Sequence, residues 1–182
     1  MDTQDLFIIF FVFSVLGYIG EIFYLIIYSK VRNIKYSHPS FFKIPFSAPY
    51  GFGVVVCIWF VESYPNNNIF ISAIFCALAF SFIEYISAVF CENILNKKYW
   101  DYSDIKFNFQ GRVCLLNLFL FVVFGLFFIQ YLYTPTIQTI SGLSGYNKDI
   151  LAATFAITLA GYTIYSEDTK GLKRKIRKKI SG

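Results

Sequence analysis

The apolar positions of this 182-residue chain fall in long blocks rather than in stripes. Leu6 to Tyr28 is interrupted only by Ser14, Gly17, Gly20 and Glu21, and Phe46 to Tyr64 is a shorter block that opens at prolines. Ile69 to about Cys91 carries one internal charge, Glu84; Val113 to Tyr133 carries none, and Ile150 to Tyr165 is the shortest. A hydrocarbon layer about 30 Å thick needs roughly 20 apolar residues of helix, and backbone polar groups cannot be left bare inside it. The blocks therefore predict an all-α membrane protein: a five-helix transmembrane bundle with spans at about 6–28, 46–64, 69–91, 113–133 and 150–165. No internal repeat or low-complexity linker divides them, so residues 1–166 read as one transmembrane domain and 167–182 as a basic cytoplasmic tail.

Charge gives this bundle a direction. Lys and Arg concentrate in cytoplasmic loops near the membrane. Residues 29–45 hold Lys30, Arg32, Lys35 and Lys43; residues 92–112 hold Lys97, Lys98, Lys106 and Arg112; the tail holds seven more from Lys170 to Lys179. Five spans put all three basic segments on one face and leave the N-terminus, 65–68 and 134–149, with Lys148 alone, on the other. The expected topology is N-terminus outside and C-terminus cytoplasmic, in the plasma membrane. The first span lacks a basic leader and is followed by basic residues, so it reads as a retained helix and not as a cleaved signal. Membrane lipid is an expected partner of the basic tail, and nucleic acid is not, because no folded basic domain accompanies it.

Composition agrees with this reading. Hydrophobic residues make up 57% of the chain and charged residues 15%, against roughly 25% charged in soluble domains. The four cysteines lie in or beside the spans with neither CxxC spacing nor a histidine cluster, and read as small buried apolar residues. No metal site or cofactor is expected.

The polar exceptions carry the functional information. An ionisable residue within a span costs about 2.5–3.5 kcal/mol or more and normally faces the bundle interior with a partner. Glu21 and Glu84 lie on the two spans that run inward, each seven or eight residues before the basic end. At 1.5 Å per residue both sit roughly 10–12 Å below the cytoplasmic surface. Arg112 enters span four from the same side, and its fork is expected to reach Glu84, Glu21 or both. Asn117 and Tyr50 could complete such a network, with Asp101 and Asp104 in the loop beside it. The stretch FFKIPFSAPYGFG, residues 41–53, is either an interfacial or re-entrant segment at 41–50 or an ordinary aromatic belt. Pro49 suits a first helical turn, and Gly17 and Gly20 mark a helix-contact face.

Three readings of this cluster stay open: a charge lock that fixes helix register, a cytoplasm-facing pocket for a solute, lipid head group or ion, and catalytic carboxylates. An enzyme is the less favoured class. The one histidine, His38, lies in a loop, and no HExxH, GxSxG or P-loop pattern is present, so any ATP must be bound by another subunit.

One set of residues resembles a known bacterial family. Gly17-Tyr18-Ile19-Gly20-Glu21 with Tyr24, Pro49-Tyr50-Gly51-Phe52-Gly53, Glu84-Tyr85, and Trp100-Asp101-Tyr102-Ser103 followed by Asn108, Gly111-Arg112-Val113-Cys114-Leu115 and Gly125 are similar to the ABC-transporter type IV, or CmpB-like permease, membrane proteins. The likeness extends over about residues 6–128. Tyr18 and Phe124 stand where that family usually has tryptophan, and Asn117 where serine is common. The resemblance implies a common core built from these residues and brings no substrate or catalytic residue with it. The expected function is a small permease-like or substrate-binding membrane subunit working with an ATPase or other membrane subunit, or as an oligomer. A membrane enzyme acting on a lipid or isoprenoid, and a noncatalytic scaffold, are the alternatives.

Overall fold

A computed structural model describes residues 1–32, 46–94, 96 and 98–161 of the chain. The apolar blocks fold as helices: α1 (Thr3–Arg32), α2 (Ala48–Ser63), α3 (Ile69–Ile94), α4 (Leu115–Phe127) and α5 (Tyr133–Gly142). A five-residue π turn, Phe128–Leu132, joins the last two into one continuous helix. Between α3 and α4 the chain forms a two-stranded antiparallel ladder, β1 (Asn108–Phe109) and β2 (Val113–Cys114), in which Asn108 pairs with Cys114 and Phe109 with Val113. Residues 145–161 form a further helix in a second compact unit that begins at Leu143. The expected tail from residue 167, residues 33–45 of the first basic loop and thus the first half of the 41–50 segment lie outside the described residues.

Within Met1–Gly142 the helices pack in chain order, α1 on α2, α2 on α3 and α3 on α4, and α5 returns to α1. Small residues set the closeness of each contact. At Gly51 a side chain would run into Ser14 Oγ and the Phe10 carbonyl; Ser14 is fully buried, its hydroxyl already donating to that carbonyl at 2.7 Å. Gly17 lies against the Tyr50 ring and Gly53 against Phe80, whereas a Cβ at Gly20 would meet nothing within 4 Å among the described residues. The helix-contact face read from sequence is thus found at Gly17 and, among the described residues, not at Gly20. Phe80 fills the middle of the bundle, stacked on Phe121 and edge-on to Phe124 at 5.3 and 5.7 Å. Around it Val54, Cys57, Ile58, Ala73, Cys76 and Ala77 are all but fully buried. All four cysteines are buried and free.

Three helices, Thr3–Ile27, Ile69–Ile94 and Leu115–Gly142, are long and apolar enough to cross a membrane. Large apolar side chains such as Phe23, Trp59, Phe70, Phe82 and Phe119 cover the outside of the bundle, each more than half exposed. Such a surface suits lipid and would associate in water. Sequence and structure differ most beyond Tyr133. Residues 134–142, expected as loop, are helical in spite of Pro135. A proline in a helix lacks a donor and crowds the carbonyl four residues earlier. The π turn immediately before it, where the Tyr133 N–H reaches back to the Phe128 carbonyl, is the local irregularity that accommodates this. The expected last span, 150–165, begins earlier, at 145, and its end lies outside the described residues. Pro49 does fall in the first turn of α2, as its missing donor requires.

Candidate functional site

Antiparallel packing brings the second half of α1, the first turn of α2, the second half of α3 and the first turn of α4 to the same end of the bundle. Glu21, Tyr24, Tyr50 and Glu84 lie there within electrostatic reach of one another, and Ser47 is the polar neighbour of Glu21. Asn117, one turn into α4 and 7% exposed, donates from Nδ2 to Glu84 Oε1 at 3.2 Å. The fifth element is a loop residue, Tyr102. Its hydroxyl donates to Glu84 Oε1 at 2.9 Å and accepts from Asn117 Nδ2 at 2.6 Å. Burial, and then the Glu84 carboxylate, push the Tyr102 phenol well above its ordinary pKa, so it keeps its proton as a donor.

The segment that delivers Tyr102 is built by short-range polar contacts. Asp101 Oδ1 accepts from the Ser103 amide at 2.9 Å and from its hydroxyl at 2.5 Å, closing a tight turn. Tyr102 N–H bonds the Gly111 carbonyl, and Trp100 Nε1 bonds the Arg112 carbonyl, both at 2.8 Å. Asn108 spans the gap, donating to the Ile105 carbonyl at 2.8 Å and accepting from the Gly111 amide at 2.9 Å. Gln110 and Gly111 then reverse the chain with φ of 55° and 67°, the left-handed pair of a primed hairpin turn. Gly111 is also closed in by Ser103 Oγ and Asp101 Oδ1, so the position has neither the backbone freedom nor the space for a side chain. The result is a cap over the ends of α3 and α4.

Arg112 latches this cap to α3. Its Nε and Nη2 both donate to Glu92 Oε2, at 3.0 and 2.6 Å, and Nη1 donates to the Tyr85 hydroxyl at 3.3 Å and to Gln110 Oε1. The guanidinium also sits 5.4 Å from the Tyr85 ring centre.

The family model described as Putative ABC-transporter type IV matches residues 8–166. The chain belongs to that family. No curated protein and no solved structure matches it. For this ABC-transporter type IV chain the residues that carry the resemblance now have physical roles: Asp101, Asn108 and Gly111 shape the cap, Arg112 fastens it, and Tyr102 is what it inserts.

The structure sorts the expected site residues. Glu21, Tyr50, Glu84 and Asn117 come together. Asp101 and Asp104 do not; both are exposed in the cap, Asp101 paired with Lys98 at 2.7 Å. The expected pairing of Arg112 with Glu84 or Glu21 is corrected, because the hairpin turns its side chain outward to Glu92. Sequence reasoning missed Ser47 and Glu92 as parts of the arrangement, and had Tyr24 and Tyr102 only among the residues that carry the family resemblance. Tyr24, three residues after Glu21 on the same helical face, was within reach of a spacing argument; Tyr102 was not. The cavity lined by Leu6, Val55, Trp59 and Glu62, about 340 Å³, lies at the opposite end of α1 and α2.

The cap has its own pH response. Hydrogen bonds from Lys98 first, and then from Ser103, hold the Asp101 carboxyl well below the usual carboxylate range. A folded-state pKa below the unfolded one contributes stability that is complete above the unfolded value and is lost as pH falls through the folded value. Trp100 emission is therefore expected to hold steady from pH 7 down to about 4, and to change only in stronger acid. A change centred between about pH 5 and 6 would mean that a group other than Asp101 controls the cap.

Proposed function

We propose that this chain is the permease-like, substrate-binding membrane subunit of a transporter whose ATP-hydrolysing part is another polypeptide. In this reading it crosses the plasma membrane five times. α1, α2, α3, the continuous α4–α5 helix and the helix over 145–161 form the spans, with the N-terminus outside and the C-terminus cytoplasmic. α2 is short for a bilayer at 16 residues, a mismatch met by local thinning and by Trp59 and Tyr64 as interfacial anchors. Basic residues in the 29–45 and 92–112 segments support a cytoplasmic side for the capped polar cluster.

One observation carries the reading. Glu84 Oε2 and Asn117 Oδ1 are shielded from solvent and have no hydrogen-bond partner among the described residues. A lock that served only to fix helix register would be expected to close its own bonds, because each buried polar atom left unpaired costs about 1–3 kcal/mol. Unspent bonding capacity beneath a latched cap is what a ligand site requires.

The test is access. In a background without the four native cysteines, Ser47→Cys and Asn117→Cys are expected to react with a membrane-impermeant thiol reagent from the cytoplasmic side of oriented vesicles. Asn67→Cys should react only from outside. Labelling of Asn67→Cys from the cytoplasmic side would reverse the topology. Ser47→Cys and Asn117→Cys that stay unreactive from both sides, in folded protein, would leave the scaffold reading in place of the transporter one.

A further inference from the structure

We propose that the cluster beneath the cap, Glu84, Asn117 and Glu21, recognises a primary ammonium group; the inference rests on the substrate-binding reading and names its ligand class. Two observations meet at the site. The first is charge: Glu21 and Glu84 share it, and among the described residues neither has a Lys or Arg in ion-pair contact. Arg112 is committed to Glu92 and Lys98 to Asp101. The second is the kind of bonding left over. Asn117 spends Nδ2 on Glu84 and Tyr102, and Tyr102 spends its proton on Glu84. What remains on ionised Glu84, at Oε2, and on Asn117, at Oδ1 of a side chain only 7% exposed, is acceptor.

A site of spare acceptors and negative charge selects a cationic donor and rejects phosphate or carboxylate. A primary ammonium presents three N–H bonds on a compact positive charge, enough to engage both orphaned oxygens and the second glutamate. A metal ion is a poorer fit, since the described residues hold no group of three or more His, Cys, Asp or Glu side chains able to bind one. The ammonium could come from a soluble amine or from the ethanolamine head group of a membrane lipid.

The experiment measures thermal unfolding of the full chain in phosphatidylcholine nanodiscs with ethanolamine, tetramethylammonium or acetate added. Ethanolamine at about 100 times its Kd is expected to raise Tm by about 5 °C. Tetramethylammonium, with no N–H, should raise it less, and acetate not at all. Glu84→Gln and Glu21→Gln should each weaken the ethanolamine response at least about tenfold, the loss of one charge-assisted bond. Glu62→Gln, at the other end of the bundle, should match the parent. Exchange of phosphatidylcholine for phosphatidylethanolamine separates the sources. A Tm already raised, with no further response to ethanolamine, indicates the lipid; an unchanged baseline with a full response indicates the soluble amine. No response to ethanolamine and no effect of phosphatidylethanolamine overturns the inference. A rise with acetate overturns it too, but leaves a substrate-binding subunit for a different ligand. Only a cluster sealed to thiol reagents removes both readings. The parent chain alone decides the main point, so poor folding of either variant does not shield it.

Discussion

Gly111→Val is expected to dismantle the cap and to destabilise the protein by about 2–5 kcal/mol, the largest effect of any single change in the loop. Two penalties add. Gly111 has a φ of 67°, where a β-branched residue is strongly disfavoured, and a Cβ there would lie 2.5 Å from Ser103 Oγ and 2.8 Å from Asp101 Oδ1. The consequences spread because the Gly111 carbonyl accepts from Tyr102 N–H and its amide donates to Asn108. Displacing it withdraws Tyr102 from Glu84. Thermal unfolding and Trp100 emission should both change, while Gly20→Val, at a glycine with nothing near it, should leave both close to the parent. A Gly111→Val chain with parental Tm and emission would falsify the account of the cap as a single folded unit.

Asn117→Leu should give the second-largest loss, about 1–3 kcal/mol for each buried group left without its partner. The leucine keeps the apolar volume but removes the donor shared by Glu84 Oε1 and the Tyr102 hydroxyl. Asn117→Ser is expected to fall between the parent and Asn117→Leu, since a hydroxyl can supply one of the two bonds. The ordering of the three unfolding midpoints is the measurement. If Asn117→Leu proved the most stable, Glu84 and Tyr102 would have to be satisfied elsewhere, and the network described around Asn117 would be wrong.

The corrected partner of Arg112 changes what the site is. Had the guanidinium met Glu84, the cluster would be a neutralised lock with its bonds closed. Because it meets Glu92 at the rim, its charge fastens the cap and leaves the two deeper glutamates to something else. A pair so near the surface contributes little through charge alone; its value lies in orienting the hairpin that carries Tyr102. Loss of the latch and binding at the cluster would therefore be separable events, as the proposed substrate-binding role requires.

Membrane character, the helical class and the meeting of Glu21 and Glu84 at one end of the bundle were legible in the sequence. Each depends on local quantities: the length of an apolar block, the cost of a charge within it, and the fixed rise of a helix. The break between α5 and the next helix was not, because Pro135 looks like a terminator until an adjacent π turn is seen to absorb it. The partner of Arg112 and the role of Tyr102 could not be read from the chain either. A long guanidinium can reach several carboxylates, and the motif that carries Tyr102 marks it as a core residue without saying which side chain it meets. Left-handed residues 110 and 111 turn the hairpin, and that turn sends Arg112 outward and Tyr102 inward. Sequence alone determined which charges lie within apolar blocks, because that follows from position along the chain; the tertiary structure decided what they meet, because that depends on side chains brought together from four helices and a loop.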